Sequence, residues 1–202
     1  MKGSVRVVAW LGRAVKGWSM IGVDRKGAWL GAALAALVWP GSAVAEVRDL
    51  SVPMVVVTSV DLDRYLGRWY EIARFPNRFE RGCEDVTADY GLREDGQISV
   101  INTCVKEGMA EAIEGQAWVV APGRLKVTFV PWLGGLAAGD YWVLHLEPDY
   151  SMAVVGAPSG NFGWILSRGA KLPGEKMDRA LGVFAANGYD TAQLEIVVQS
   201  DR

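Results

Sequence analysis

The sequence predicts an all-β protein: an eight-stranded up-and-down antiparallel β-barrel with one C-terminal α-helix packed on its wall. Three observations point there. Apolar and polar residues alternate with a period of two in short runs between residues 68 and 168, as expected of strands with one apolar face. Turn signals separate the runs at Asp95-Gly96, Pro122-Gly123, Gly134-Gly135, Pro148-Asp149 and Ser159-Gly160-Asn161. No helical period lies between the strands, so no crossover is available; one helix follows only after the last of them.

The chain has 202 residues, and its first 45 read as a secretory leader. Lys2, Arg6, Arg13, Lys16, Arg25 and Lys26 precede an apolar stretch over 28–39, and Ser42-Ala43-Val44-Ala45 supplies a small-x-small site, with cutting expected after Ala45. The basic region is long, and Met20 is an alternative start. Twelve apolar residues ending at Pro40 fall short of the ~20 that span a bilayer. Residues 46–60 form an extended arm whose apolar part is Val55-Val56-Val57, and residues 61–202 form the barrel, the helix and a last strand.

Within that domain, 61–66 is a short helical turn broken at Gly67, which enters a first strand over 68–75. Glycine there allows close backbone approach, and Trp69 can plug one end of a closed sheet. Further strands are expected at 86–92, 97–105, 111–120, 125–130, 140–146, 152–157 and 162–168. Asp95-Gly96 is read as a two-residue hairpin. Eight strands closed on themselves leave room for one small ligand. The helix spans 174–187, with Met177, Ala180, Leu181 and Phe184 as its apolar stripe and Asn187-Gly188 as its stop. The last run, 194–198, is apolar and β-prone.

Without the leader the chain holds 15 Lys+Arg against 22 Asp+Glu, a net charge of −7. That acidity argues against nucleic acid, and against anionic lipid headgroups as electrostatic partners. His145 is the sole histidine, which removes two-histidine metal sites and multi-histidine proton relays. Between Leu144 and Leu146 it reads as a strand residue. No G-x-S-x-G elbow, phosphate loop or dinucleotide fingerprint occurs, so no catalytic residue, metal or cofactor is expected. Glu80, Glu84 and Asp85 read as a solvated loop cluster.

Cys83 and Cys104 are the only cysteines. In an oxidising compartment an even pair favours a disulfide, which would contribute roughly 3 kcal/mol in the chain-entropy model. A two-residue turn at Asp95-Gly96 places Cys104 opposite Thr87, however. Bonding Cys104 to Cys83 then requires a bulge or a fold-back around Gly82, and the sequence leaves the bond open. Neither cysteine lies at the leader junction, so the protein is not expected to be a lipoprotein acylated on an N-terminal cysteine.

Three segments carry a family resemblance: Asp63-Arg64-Tyr65-Leu66-Gly67-Arg68-Trp69-Tyr70-Glu71-Ile72-Ala73-Arg74-Phe75; the Arg78-Phe79-Glu80-Arg81-Gly82 turn leading into Val86-Thr87-Ala88-Asp89-Tyr90; and Trp164-Ile165-Leu166-Ser167-Arg168. Together they resemble the lipocalins, within them the bacterial branch related to apolipoprotein D and the plant temperature-induced lipocalins. The resemblance covers residues 60–200. It implies that Gly67, Trp69 and Tyr70 belong to a structural signature. It also implies that Trp69 closes the barrel floor and that Arg168 packs over it. The function it implies is binding, storage or transport of a small hydrophobic ligand, a fatty acid or lysophospholipid, in envelope maintenance. Such a protein would be periplasmic, with a peripheral association with the outer membrane left open. The alternative is a lipid-modifying enzyme, an isomerase or de-epoxidase, on the same scaffold, for which the two cysteines are the evident nucleophiles.

Cavity candidates are Tyr90, Trp118, Phe129, Tyr141 and Val143, although strand parity alone does not choose the inner face. Arg74 and Arg78 can meet a headgroup carboxylate or phosphate, or can be surface charges. Trp132-Leu133, in the glycine-rich segment 131–139, can form a lip at the mouth or a contact between two copies of the chain.

Overall fold

The computed structural model describes residues 6–7 and 47–200. The expected leader therefore lies outside the described residues, apart from the pair Arg6–Val7, whose backbone runs parallel to Glu111 and Ala112. Eight strands follow in the domain: β1 (Gly67–Arg74), β2 (Glu84–Leu92), β3 (Ile98–Lys106), β4 (Met109–Ala121), β5 (Arg124–Thr128), β6 (Gly139–Leu146), β7 (Met152–Gly156) and β8 (Gly163–Ser167). Each pairs antiparallel with the next, and β8 pairs with β1, closing the ring. A four-residue helix α1 (Leu62–Tyr65) precedes the ring. Helix α2 (Gly174–Ala186) and a two-residue strand β9 (Glu195–Ile196) follow it.

The up-and-down order fixes two ends. Segments 75–83, 107–108, 129–138 and 157–162 connect strands at the mouth, and the remaining turns, with α1, lie at the floor. Two apolar clusters divide the faces. Trp69, Ile98, Val100, Ala117, Leu125, Val143, Val155 and Leu166 pack inside the ring. Ile72, Leu144, Met152, Val154 and Ile165 pack outward, against Ala180 and Phe184 of α2. The period of two thus sorts β1, β6, β7 and β8 between a lumen and a helix-covered wall. Gly163 allows that packing: a Cβ there would lie 2.9 Å from the Phe75 ring and 3.0 Å from that of Phe184.

The arm straps the outside of the wall before turning under the floor. Arg48, buried, donates to the carbonyls of Asn187, Pro158 and Val52, and Val57 N–H donates to Val143 O at 3.0 Å. Val57, Val60, Leu62 and Leu66 then pack beneath the interior cluster.

The hairpin between β2 and β3 differs from the expected two-residue turn. Leu92 pairs with Ile98, leaving a five-residue loop in which Arg93 N–H donates to Gln97 O. Asp95 accepts from the Gln97 amide and Gly96 takes φ +79°, so the Asp-Gly pair turns the chain but does not itself join the strands. The register moves again between Glu84 and Thr87, where Asp85 adopts φ +50°. This bulge, with Gly82 at φ +76°, brings Cys83 within 5.4 Å (Cα–Cα) of Cys104, and the two are bonded.

Residues 195–200 lie along the upper halves of β1 and β2. Ile196 pairs with Ala73, Val197 N–H donates to Ile72 O, and Asp85 N–H donates to Val198 O. Val197 packs with the disulfide and Val86.

Candidate functional site

The floor is built from the residues around the first glycine. Asp61 caps α1 by accepting from Arg64 N–H, and Gly67, at φ +87°, turns the chain from that helical turn into β1. Trp69 is fully buried, and its indole N–H donates to Tyr65 O at 2.8 Å. From the neighbouring strand, Arg168 sits just past β8 with its guanidinium 3.9 Å from the Trp69 centroid. That guanidinium donates to four carbonyls, those of Arg68 (2.7 Å), Arg64 (2.7 Å), Leu66 (2.9 Å) and Tyr65 (3.1 Å). The α1 carbonyls left without helical partners are thus satisfied by one planar donor set, which also covers the indole face. The geometry is that of a plug.

Directly inside the plug lie three tyrosines. The Tyr65 ring centroid is 5.0 Å from that of Trp69. Its hydroxyl lies 2.7 Å from that of Tyr141, to which Tyr90 also donates at 3.0 Å. Burial pushes all three phenols up, Tyr90 to about 12. All three therefore carry their hydrogens at physiological pH. Three hydroxyl hydrogens serve two hydrogen bonds within the trio, so one donor is left over for an acceptor entering the lumen.

A second polar group sits further up β1. A register shift between Glu71 and Ala73 turns both Glu71 and Arg74 inward, opposite Leu166 and Trp164. Both are buried, and Arg74 donates to Glu71 Oε1 at 3.0 Å and to Cys83 O at 3.2 Å. Glu80 reaches in from the 75–83 loop, accepting from the Trp164 indole at 3.1 Å and from the Asn77 amide. Burial raises the Glu71 carboxyl well above the usual carboxylate range; the Glu80 charge adds to this and Arg74 opposes it. The rings of Phe79, Phe162, Trp164 and Tyr141 follow one another from the rim to the tyrosine trio at centroid spacings of 5.6–6.5 Å.

Most of the residues expected to line the cavity are brought together. Val143 and Tyr141 are buried in the interior cluster, with Tyr90 and Phe129 packed against it. Trp118 is not among them. It pairs with Lys126, on the face opposite to Ala117, and Lys126 in turn pairs with Asp140 at 2.8 Å. Trp118 is therefore an outer-wall residue. The two arginines separate as well: Arg74 is an internal partner of Glu71, whereas Arg78 is exposed, its guanidinium 4.7 Å over the Phe79 ring. Glu80 does not belong to a solvated acidic cluster, because its side chain turns inward, and Asp85 is tied to Ser200. His145 lies 3.3 Å from Glu147, on the helix side.

Tyr65, Glu71, Glu80 and Trp164 were not predicted as interior polar groups. Only the bulge in β1 places Glu71 and Arg74 on one face, and a plain alternation would separate them. Tyr65 carried a signal, standing four residues before Trp69 on a helical turn. Among the described residues, no group of three or more His, Cys, Asp or Glu side chains is placed to hold a metal, and no helix is long and apolar enough to cross a membrane.

Known proteins resemble the chain in sequence and in fold. Residues 60–199 match the family described as the lipocalin-like domain. Temperature-induced lipocalin-1 of Arabidopsis thaliana is 41% identical over 156 residues, covering 73% of this chain and 84% of its own. The outer membrane lipoprotein Blc of Escherichia coli K12 is 43% identical over 152 residues, covering 72% and 83%. Apolipoprotein D of Macaca fascicularis is 31% identical over 157 residues, covering 72% and 80%. Among solved structures, insecticyanin from the tobacco hornworm Manduca sexta superposes with a TM-score of 0.59 at 22% identity, covering 74% of this chain and 86% of that one. With the barrel, the tryptophan–arginine plug and the long matches in agreement, the chain belongs to the lipocalin family.

Proposed function

We propose that this protein binds one small hydrophobic molecule in the barrel lumen and stores or carries it, the guest being a fatty acid or lysophospholipid handled in cell-envelope maintenance. The observation that carries this reading is the gradient along the inner face. At the floor Trp69, Ile98, Val100 and Ala117 are packed out of contact with solvent, whereas Asn102, Ile113, Val127 and Phe129, higher on β3–β5, remain half-exposed. An inner face packed at the floor and partly exposed above favours a chain-like guest through burial of its hydrocarbon, at roughly 25 cal/mol per Å². The leftover tyrosine donor supplies an acceptor-seeking group at depth.

The location we propose is the periplasm, after cleavage near Ala45. Relatives named outer membrane lipoproteins support an envelope setting. Here both cysteines are joined to each other, so anchoring through a lipidated cysteine is not part of this reading. The same bond removes the thiols that a lipid-modifying enzyme would need as nucleophiles; titration of unfolded, unreduced protein should find none.

Native mass spectrometry of protein purified from a periplasmic extract tests the proposal, together with quenching of tryptophan fluorescence by added fatty acid and lysophospholipid. A co-purified lipid, or saturable quenching at one molecule per chain, supports it. Absence of both would sink it.

A further inference from the structure

We propose that the mouth of the barrel is a membrane-docking surface, its rim dipping into the headgroup layer of a lipid bilayer. The segments at that end present Phe79, Met109, Trp132, Leu133 and Leu136 to solvent, with Trp132 75% and Leu136 95% exposed. They come from three places, the 75–83 connection, the first residue of β4 and the 129–138 connection, which the up-and-down topology gathers at one end. Single exposed apolar residues are ordinary, but five large ones around one opening form a patch of the kind that marks an interaction site.

Charge selects the occupant. The exported domain carries −7, yet the mouth connections hold two basic residues, Arg78 and Arg81, against two acidic ones, Glu80 and Glu107. The floor segments 61–66, 93–97, 122–123 and 147–151 hold Arg64 and Arg93 against Asp61, Asp63, Glu94, Asp95, Glu147 and Asp149. Glu80 is turned into the barrel. Segments 129–138 and 157–162 contain no charged residue at all. The rim is thus the least acidic end of an acidic molecule: tryptophan, phenylalanine and leucine side chains flanked by arginines whose heads can rise to lipid phosphates. A second copy meeting mouth to mouth would oppose Arg78 and Arg81 to their own equivalents, whereas a phosphate-bearing surface complements them. The acidity of the whole domain argues against membrane binding from composition alone; its distribution over the surface reverses that argument at this end. Docking there would also set the lumen opening against the source of an apolar guest, although it does not depend on which guest the lumen holds.

Flotation with vesicles of phosphatidylcholine and phosphatidylglycerol tests this, using protein purified from expressing cells with its N-terminus established by mass spectrometry. The wild-type protein should float with vesicles, and the association should persist in salt, since insertion of apolar side chains dominates. Trp132→Ser/Leu136→Ser should reduce partitioning about tenfold or more while leaving fluorescence quenching by a soluble fatty acid unchanged, which separates failure of docking from failure of lumen binding. Phe79→Ser, on a different segment, should shift flotation in the same direction. The proposal is overturned if wild-type protein stays with the buffer. It is also overturned if both variants float as well as wild type, or if sedimentation shows a dimer that Trp132→Ser/Leu136→Ser dissociates without loss of vesicle binding.

Discussion

Arg168 does four jobs at one carbonyl cluster, and no other side chain can repeat them. Arg168→Met removes the hydrogen bonds to residues 64–68 and the ring contact with Trp69. It should cost about 2–4 kcal/mol in denaturant unfolding. Arg168→Lys should recover less than half, because an ammonium cannot serve four acceptors in one plane. Inside the plug, Tyr141→Phe removes the hydroxyl shared by Tyr65 and Tyr90, at roughly 1–3 kcal/mol for the groups left without partners. In the arrangement where Tyr65 donates to Tyr141 as Tyr90 does, the leftover hydrogen is that of Tyr141, and its loss should lower the affinity for a fatty acid, read by the same quenching titration. Glu71 supplies a pH dependence. Burial and Glu80 hold its carboxyl well above the ordinary range, with Arg74 as the opposing charge. Folding therefore favours the neutral acid. The stability this gives is complete below the ordinary carboxylate range and is lost as pH rises toward the raised value. Glu71→Gln has no such titration, so the stability of wild type relative to the variant should decline as pH rises from the ordinary carboxylate range toward that raised value. A difference that is flat or that grows would show that Glu71 is ionised throughout. The signature tryptophan and arginine were legible because their neighbours repeat a family pattern. The buried Glu71–Arg74 pair was not, since three residues apart on a strand normally means opposite faces.

Strands announce themselves by periodicity, and all eight lay where alternation and turn residues placed them, to within a residue or two at most ends. Register was less legible. The Asp95-Gly96 pair proved to be part of a five-residue loop, and a bulge at Asp85 takes up a further residue. Those offsets are what bring Cys83 to Cys104, and a two-residue hairpin would have kept them apart. The inner face of β4 could not be assigned before pairing was known, which is why Trp118 stood among the cavity candidates when its partner Lys126 marks it as external. The disulfide ties the mouth loop 75–83 to β3, and the C-terminal segment packs on it. Reduction should therefore act locally as well as through the unfolded chain, lowering stability by about 3 kcal/mol. Amide exchange should quicken first at Asp85 and Val197, whose N–H groups donate to Val198 O and Ile72 O, ahead of the floor. On the other wall, Phe184→Ala leaves a void facing Phe75 and Tyr189, whose ring centroids lie 5.0 Å away. A cost of about 3–5 kcal/mol is expected in thermal or denaturant unfolding.

At the scale of the molecule, a barrel plugged at one end offers a single route in, and that geometry makes ligand binding and folding stability one measurement. A guest that enters the lumen binds only the closed ring, so it must stabilise the fold by mass action, growing with the logarithm of its free concentration. At a hundredfold excess over the dissociation constant the gain is about 2.7 kcal/mol, or roughly 5–10 °C in melting temperature for a domain of this size. A lysophospholipid acting instead as a detergent on the outer wall would lower the melting temperature, steeply, near its micelle concentration. The two behaviours have opposite signs, so a melting series with lysophospholipid taken from well below that concentration up to it decides between them. The plug sharpens the test. Arg168→Met loosens the floor and loses a bond to the Tyr65 carbonyl but removes none of the three hydroxyls, so its melting temperature should start lower yet rise with ligand by a similar increment. Tyr141→Phe should show the smaller increment. If instead both variants lose the increment equally, the guest does not reach the trio, and the stabilisation arises from the barrel as a whole.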